Sequence, residues 1–560
     1  MVEEIPGQMC KILSPLAKVF SDEEPCYLPE CVKLSGLWEE TVSFQCAYKG
    51  SGPRRQTLRL EVVTDDELTG HVRVREVREV PVRRATNGRV DDNYLRTGAG
   101  MYPDLLQDLS NGEVDATSFQ WRSIWVDVFL AHGISAGRHE IELRFFAEDG
   151  LLMSARTVVE VIAHELPELA IKHTEWFYAD CLADYYHVPV FSDAHWQLIE
   201  NFMHEMVARG CNMILTPLFT PPLDVEVGLE RTTTQLVDVY VNHGTYSFDF
   251  SKLERWVKLC QRVGMQYFEM SHLFTQWGAQ HPPKIVAMVD DGTPTNIFGW
   301  DTPALGAYTE FLAAFLPELT QHLRAWNIAD KVYFHISDEP GANLEAYQAA
   351  KESLGTLLDG FHTLDAISSF EMYEKGIVDI PVPDSNIMDP FLANRPHEVW
   401  TYYCTGQFLH ASNRFMAMPS ARNRIFGIQC YKFGIDGILH WGYNYYNSQL
   451  SRRHIDPYSD TDAGGGFPAG DAFLVYPGAN GQPEESIRMM VFAEALQDIR
   501  ACTLLESLTS KDHVRELIDG DLAEPLTFTT YPKSDFYLMQ LRNRINREIA
   551  RALVTKSCEK

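Results

Sequence analysis

The chain has 560 residues, 45% of them hydrophobic and 12% aromatic, enough to bury more than one large core and to exclude global disorder. Its 48 basic and 77 acidic residues leave a formal charge of −29, a field that repels nucleic-acid backbones and anionic membrane surfaces but does not penalise a neutral substrate. Eleven cysteines, an odd count with no CxxC pair, suit free thiols in a reducing compartment, and no run of about 18 apolar residues marks a membrane span.

Residues 1–20 carry Glu3 and Glu4 at their head and prolines at 6 and 15, without the basic start and apolar centre of a secretory signal, so the expected location is cytoplasmic. From Cys31 to about Ile162, short runs of alternating polarity at 57–63, 71–77, 123–129 and 139–146 are separated by turn residues such as Asn87-Gly88. This pattern predicts an all-β sandwich domain over residues 1–164. Gly133-Ile-Ser-Ala-Gly137 has the spacing of a nucleophile elbow but lies between two strand-like runs, which makes it a plain turn. Trp121 and Trp125 read as packing for the sandwich.

Near Glu165 the period changes to units of strand, loop and amphipathic helix. A first strand at 175–178 leads to a helix at 194–209, and a second strand at 211–216 leads to an irregular stretch, 217–249, too long for an ordinary connection. Ser251-Lys-Leu-Glu254 reads as a capping box, Gly264 as the helix stop, and 265–270 as strand three, with His272 just past it. A second long loop, holding Gln276-Trp-Gly278 and Trp300, precedes a helix over 303–326. Strands follow near 331–337, 362–368, 377–382, 399–404 and 437–443, with helices at 421–433 and 485–500. Eight strand candidates predict a (β/α)8 barrel over residues 165–510. Residues 511–560, with a short β-like piece and a basic helix at 535–554, form an extension of unassigned role.

Within that barrel, Lys331-Val-Tyr-Phe-His-Ile-Ser-Asp-Glu-Pro340 is a strand that runs into two adjacent carboxylates at its C-terminal end, where barrels of this kind do their chemistry. Asp22-Glu23 and Asp66-Glu67 are equally adjacent but lie in polar, loop-like surroundings and read as solvated charge. Trp176, Trp277, Trp300, Trp400, Tyr402, Tyr403, Trp441 and Tyr443 fall at predicted strand ends or in the loops above them. Such rings stack on sugar faces, with His335, His272, Asn212 and Asn444 as candidate partners for the hydroxyls. Paired carboxylates in an aromatic pocket suit glycoside hydrolysis. Neighbours in the chain can hardly flank a sugar from opposite sides, as an ordinary retaining pair must. They suit a route in which the substrate's 2-acetamido oxygen attacks the anomeric carbon, Asp338 orienting that group and Glu339 serving as general acid, then base.

His335-Ile-Ser-Asp-Glu339 resembles the His-x-x-x-Asp-Glu signature of family 20 hexosaminidases with one residue fewer. The closer resemblance is to glycoside hydrolase family 123, the β-N-acetylgalactosaminidases. It rests on Ser337-Asp-Glu-Pro340, Val399-Trp-Thr-Tyr-Tyr-Cys404, Gly437-Ile-Leu-His-Trp-Gly-Tyr-Asn444, Gly470-Asp-Ala472 with Val475-Tyr-Pro-Gly478, and Ser486-Ile-Arg488. Ala472 stands where a second glycine is expected. The resemblance implies release of terminal β-linked N-acetylgalactosamine with retention, Asp338 and Glu339 in the two catalytic roles, and no metal or other cofactor. The expected partner is therefore a carbohydrate, with no nucleic acid and no membrane insertion. Two other readings stand beside it: a glycosidase of different sugar preference on the same barrel, and a carbohydrate-binding protein without turnover. Metal and nucleotide motifs are lacking: there is no HExxH, Walker loop or GxGxxG after a strand, and His204-Glu205 has no second histidine at the needed spacing.

Overall fold

The computed structural model describes residues 9–25, 28–31, 33–290 and 292–558; the head of the stretch read for a signal, with Glu3, Glu4 and Pro6, lies outside them. By contacts the chain forms two units, which depart from the boundaries drawn at 165 and 510. One takes the chain up to Ala170 together with Leu409–Gly434 and everything from Glu484 on; the other is Ile171–Phe408 with Ile435–Pro483.

The first unit is built on a β-sandwich. One sheet runs Cys10–Leu13, Glu40–Tyr48, Arg122–Leu130, Val72–Val82, Gly100–Asp108, and the other Lys33–Trp38, Gly150–Glu165, Gly137–Ala147, Gln56–Thr64, Glu113–Ala116. Period-two alternation sends Phe44, Cys46, Val126 and Val128 of the first sheet and Leu58, Ile141, Leu143 and Val159 of the second into one core. Gly133 to Ala136 is a loop between strands, as its surroundings predicted. Trp125 is fully buried with its indole N–H on Asp127 at 2.6 Å, and Trp121 packs against Leu13, Val19 and Ala47.

Helices Ser420–Phe433, Ile487–Leu508 and Asp535–Cys558 belong to this unit rather than to a barrel and a separate extension. Buried ion pairs tie them together: Arg424 is bidentate to Asp498 and also meets Glu494, while Arg542 joins Asp498 to Glu40 of the sandwich. The β-like piece expected after residue 510 is instead a helix, Lys511–Asp519, and an irregular stretch. Its apolar residues, Leu526 and Phe528, are buried without strand pairing.

The second unit is the barrel. Its strands are β1 Lys172–Glu175, β2 Met213–Thr216, β3 Tyr267–Met270, β4 Val332–Phe334, β5 His362–Ile367, β6 Ile380–Pro383, β7 Trp400–Tyr402 and β8 Gly437–His440. They pair in parallel in the order β6-β5-β4-β3-β2-β1-β8-β7, and a parallel bridge between Asp384 and Tyr402 closes the ring. The helix after β1, Asp193–Ala208, is capped by Ser192 and buries Trp196, Ile199, Phe202, Met203 and Met206. The next helix, Ser251–Val263, stops at Gly264 as predicted, but no capping box forms. Ser251 is already helical, and Asp249 takes its N–H at 2.8 Å in a local turn that outcompetes the cap.

The two long insertions are more ordered than their irregular composition suggests. Hairpins Asp238–Asn242/Thr245–Asp249 and Ile285–Val289/Thr293–Phe298 pair in parallel through Val239 and Ala287 into a four-stranded sheet. The first turns at His243-Gly244, both with positive φ, as a two-residue hairpin requires.

A Cβ on Gly437 would lie 2.0 Å from the ring of the buried Trp400. Gly437→Ala is therefore expected to cost about 1–3 kcal/mol through overpacking, read as a lowered urea midpoint. An unchanged midpoint would show that the Trp400 ring has room to move.

Candidate active site

Strand β4 pairs with β3 and β5 only as far as Phe334. Beyond it the chain is held by bonds outside the ladder. On one side the N–H groups of Leu273, Phe274 and Trp277 donate to the carbonyls of His335, Ile336 and Asp338 at 3.1, 2.9 and 2.9 Å, and Ser337 Oγ donates to the Thr275 carbonyl at 2.7 Å. On the other side Asp365 Oδ1 accepts the N–H groups of Ile336 and Ser337 at 3.1 and 3.3 Å. Asp338 follows, and then Glu339 in the left-handed region, φ 43° and ψ 62°. For a side chain of this size that conformation costs on the order of 1–3 kcal/mol, so it persists because its neighbours fix it. Gly278 helps: a Cβ there would sit 2.6 Å from that of Asn343, so the Trp277-Gly278 corner can close on the segment after the carboxylates only without a side chain.

Both carboxylates are half-buried. Burial, and then the adjacent Glu339, hold the Asp338 carboxyl well above the usual carboxylate range, against the opposing pull of His335. The Tyr402 hydroxyl donates to Glu339 Oε1 at 2.8 Å. Below the pair lies a buried charge network. His335 Nε2 meets Glu269 Oε1 at 2.5 Å and Nδ1 meets Asp365 Oδ1 at 3.2 Å. Burial works against charge on this ring, but the bonds to Asp365 and Glu269 outweigh it and lift His335 to about 10, an imidazolium at neutral pH. Glu269 also accepts the Trp176 indole N–H at 2.7 Å and the Thr174 hydroxyl at 2.6 Å. His272 stacks on His335 with centroids 4.1 Å apart; burial, then the charge on His335, push it well below its ordinary value, so it is neutral.

The other candidates divide. Trp277, 43% exposed, stands beside Asp338 through its own backbone N–H, and Trp441, half-buried, gives its indole N–H to Asp471 at 2.9 Å; both rings stay partly open to solvent. Tyr403 is buried edge-on to His440. Trp176, His335 and His272 line the floor as support rather than as an open surface.

Four residues read as sugar contacts are occupied structurally. Asn212 bridges the His173 N–H and the Ile171 carbonyl at the start of the strands. Trp400 is fully buried on Gly437 and Tyr333. The Tyr443 hydroxyl donates to the Phe202 carbonyl, and Asn444 spends both ends of its amide on the backbone of Tyr178. Each was placed by sequence near a strand end, but its side chain turns into packing or to the lower rim. Glu269 and Asp365 are absent from the residues read from sequence, and Tyr402 is among them only as a sugar-stacking ring, not as a partner of Glu339. Their signal is a lone carboxylate or phenol within an apolar barrel strand, which points it inward.

His272, His335 and Asp365 bring ligand atoms within 4.8 Å of one another, close enough to share a cation. Their chemistry argues otherwise: His335 gives both ring nitrogens to carboxylates, and Asp365 Oδ1 already receives three N–H groups. His335 and Asp365 serve an ion pair, with the neutral His272 stacked on it.

No helix among the described residues is long and apolar enough to cross a membrane. No curated protein matches the chain. A family 123 glycoside hydrolase from Clostridium perfringens, described in connection with glycolipid glycan hydrolysis, superposes with a TM-score of 0.77 at 14% identity, over 98% of this chain and 99% of that one. A Bacteroides ovatus GH5 xyloglucanase, solved with a XXXG heptasaccharide, reaches only 0.30 at 8% identity, over 83% and 98%. The family model described as "Glycoside hydrolase 123, catalytic domain" matches residues 176–505, more than half the chain and every strand of the barrel after the first. With paired carboxylates at the mouth of that barrel, the chain belongs to glycoside hydrolase family 123.

Proposed function

We propose that this glycoside hydrolase releases terminal β-linked N-acetylgalactosamine by a retaining, substrate-assisted mechanism. The observation that carries the reading is the adjacency of Asp338 and Glu339 at the end of β4. An ordinary retaining pair stands ~5 Å apart on opposite faces of the sugar. Here both carboxylates approach from one strand end, so the nucleophile is better supplied by the substrate's acetamido oxygen.

Asp338 accepts the acetamido N–H and turns its carbonyl oxygen under the anomeric carbon. As the oxygen attacks, Glu339 protonates the departing glycosidic oxygen, and Asp338 balances the charge of the cyclic oxazolinium. Glu339 then takes a proton from water, which opens the ring from the face the leaving group vacated; two inversions give retention. Burial, then the adjacent Glu339, hold the Asp338 carboxyl well above the usual carboxylate range. An amide N–H docking on Asp338 favours the charged form there, opposing that burial.

The test is hydrolysis of p-nitrophenyl β-N-acetylgalactosaminide and its glucosaminide epimer, with the product anomer followed by proton NMR. β-N-acetylgalactosamine is expected first, from the galacto substrate alone. Equal cleavage of both epimers would make the enzyme a broader hexosaminidase, and an α product would end the substrate-assisted reading. The Clostridium perfringens relative is described in connection with glycolipid glycan hydrolysis, which makes glycolipid glycans the natural panel to follow.

Tyr402→Phe removes the bond to Glu339 and leaves the buried ring in place. The expected result is a kcat about tenfold lower with KM little changed, because one hydrogen bond to a charged group contributes ~1.5–3 kcal/mol and acts here on the catalytic acid. A kcat equal to wild type would show that Glu339 is held by other groups.

A further inference from the structure

We infer that Asp365, in β5, is a positioning residue for the catalytic pair: its carboxylate shapes the end of β4 that presents Asp338 and Glu339 and anchors the His335 ring. The inference rests on the catalytic assignment proposed above.

The β4–β5 ladder ends with Phe334 opposite Thr363. The next N–H groups on that edge, from Ile336 and Ser337, turn to the side chain of Asp365 instead of a strand-five carbonyl. The same Oδ1 receives His335 Nδ1 at 3.2 Å, and Oδ2 receives the Tyr347 hydroxyl at 2.5 Å. One carboxylate, 1% exposed, thus replaces a stretch of sheet pairing. Without it the strand end has no acceptor on the β5 side, and the turn into left-handed Glu339 loses one of its two walls. The other wall, from Leu273 to Trp277, bonds carbonyls rather than N–H groups and cannot substitute.

Tyr347 explains why the carboxylate stays in place. It lies on the helix Leu344–Ser353 that begins directly after the catalytic turn, fully buried, so the helix and the strand end meet on the same Asp365. The groups facing His335 are Glu269 and Asp365 at its nitrogens, the His272 and Trp176 rings, and Asp338 through space. Removing the charge of Asp365 therefore changes both the backbone and the field around the pair.

Asp365→Asn retains an oxygen for the two N–H groups and the volume of the side chain but loses the charge. We expect kcat to fall about 10- to 100-fold, as a small misplacement of reacting groups does, with KM near wild type; the urea midpoint falls as well, because one carboxylate of the buried ion pair is lost. The kcat–pH profile should shift, which a purely structural change would not do. In 15N-histidine-labelled enzyme at about pH 8, His335, assigned with a His335→Gln variant, should read as imidazolium in wild type and as neutral in Asp365→Asn. A kcat within about twofold of wild type, or an unchanged His335 signal, overturns the inference. Tyr347→Phe should give a smaller loss in the same direction. If wild type prefers another β-glycoside, the substrate reading fails while Asp365 is judged on that substrate; the NMR result holds in either case.

Discussion

Glu339→Gln is expected to lower kcat by about 10²–10⁴-fold on a β-N-acetylgalactosaminide with an alkyl aglycone, the usual contribution of a positioned general acid. The loss should shrink for p-nitrophenyl substrate in the bond-breaking step, because that leaving group departs without a proton. Asp338→Asn should lower kcat by a similar factor whatever the leaving group, because Asp338 stabilises the oxazolinium rather than the departing oxygen. Replacing the acetyl group by trifluoroacetyl, which drains the attacking oxygen, should slow the wild type steeply. Single-turnover rates across a leaving-group series check all three. Activity within tenfold of wild type in either variant would remove that residue from the catalytic pair, and indifference to the trifluoroacetyl group would restore a protein nucleophile.

The second large effect is on stability. His335 is fully buried between Glu269 and Asp365, so His335→Gln leaves two carboxylates facing each other without a cation. Breaking a buried charge network by removing one partner costs roughly 3–5 kcal/mol. The wild-type contribution also has a pH signature. Burial opposes the charge, but the two carboxylates lift His335 from its ordinary 6.5 to about 10. Its stabilisation is therefore fully present below the unfolded value and is lost as pH rises through the folded one. Urea midpoints measured from neutral to alkaline pH should fall in wild type and fall less in the variant. Parallel slopes would mean that His335 is neutral in the fold.

A side chain's role depends on what it meets once its backbone is placed. Asp338 and Glu339 were legible in the sequence because a strand of alternating polarity ends in them, and the barrel because its strands and helices recur with short spacing. The hairpin 238–249 was also legible in principle: Val239 and Val241 alternate with polar neighbours around His243-Gly244. The prolines at 217, 221 and 222 disguised it as irregular chain. Trp400, Tyr443 and Asn444 carried the same signal as Trp441, an aromatic or amide near a strand end, yet only Trp441 keeps an open face. Strand periodicity tells which side a residue is on, not whether its ring meets solvent or a neighbouring helix.

The sandwich, the parallel barrel and the carboxylate pair follow from local periodicity and from residues adjacent in the chain. The rest arises only when the chain folds. Folding grouped the helices after β7 and β8 with the sandwich through Arg424 and Arg542. It also brought Glu269, Asp365 and Tyr402, from three strands of the barrel, onto His335 and Glu339 in the segment just past β4. The physical reason is that hydrogen bonds and ion pairs between strands depend on ring closure and register, which set distances that no spacing along the chain records.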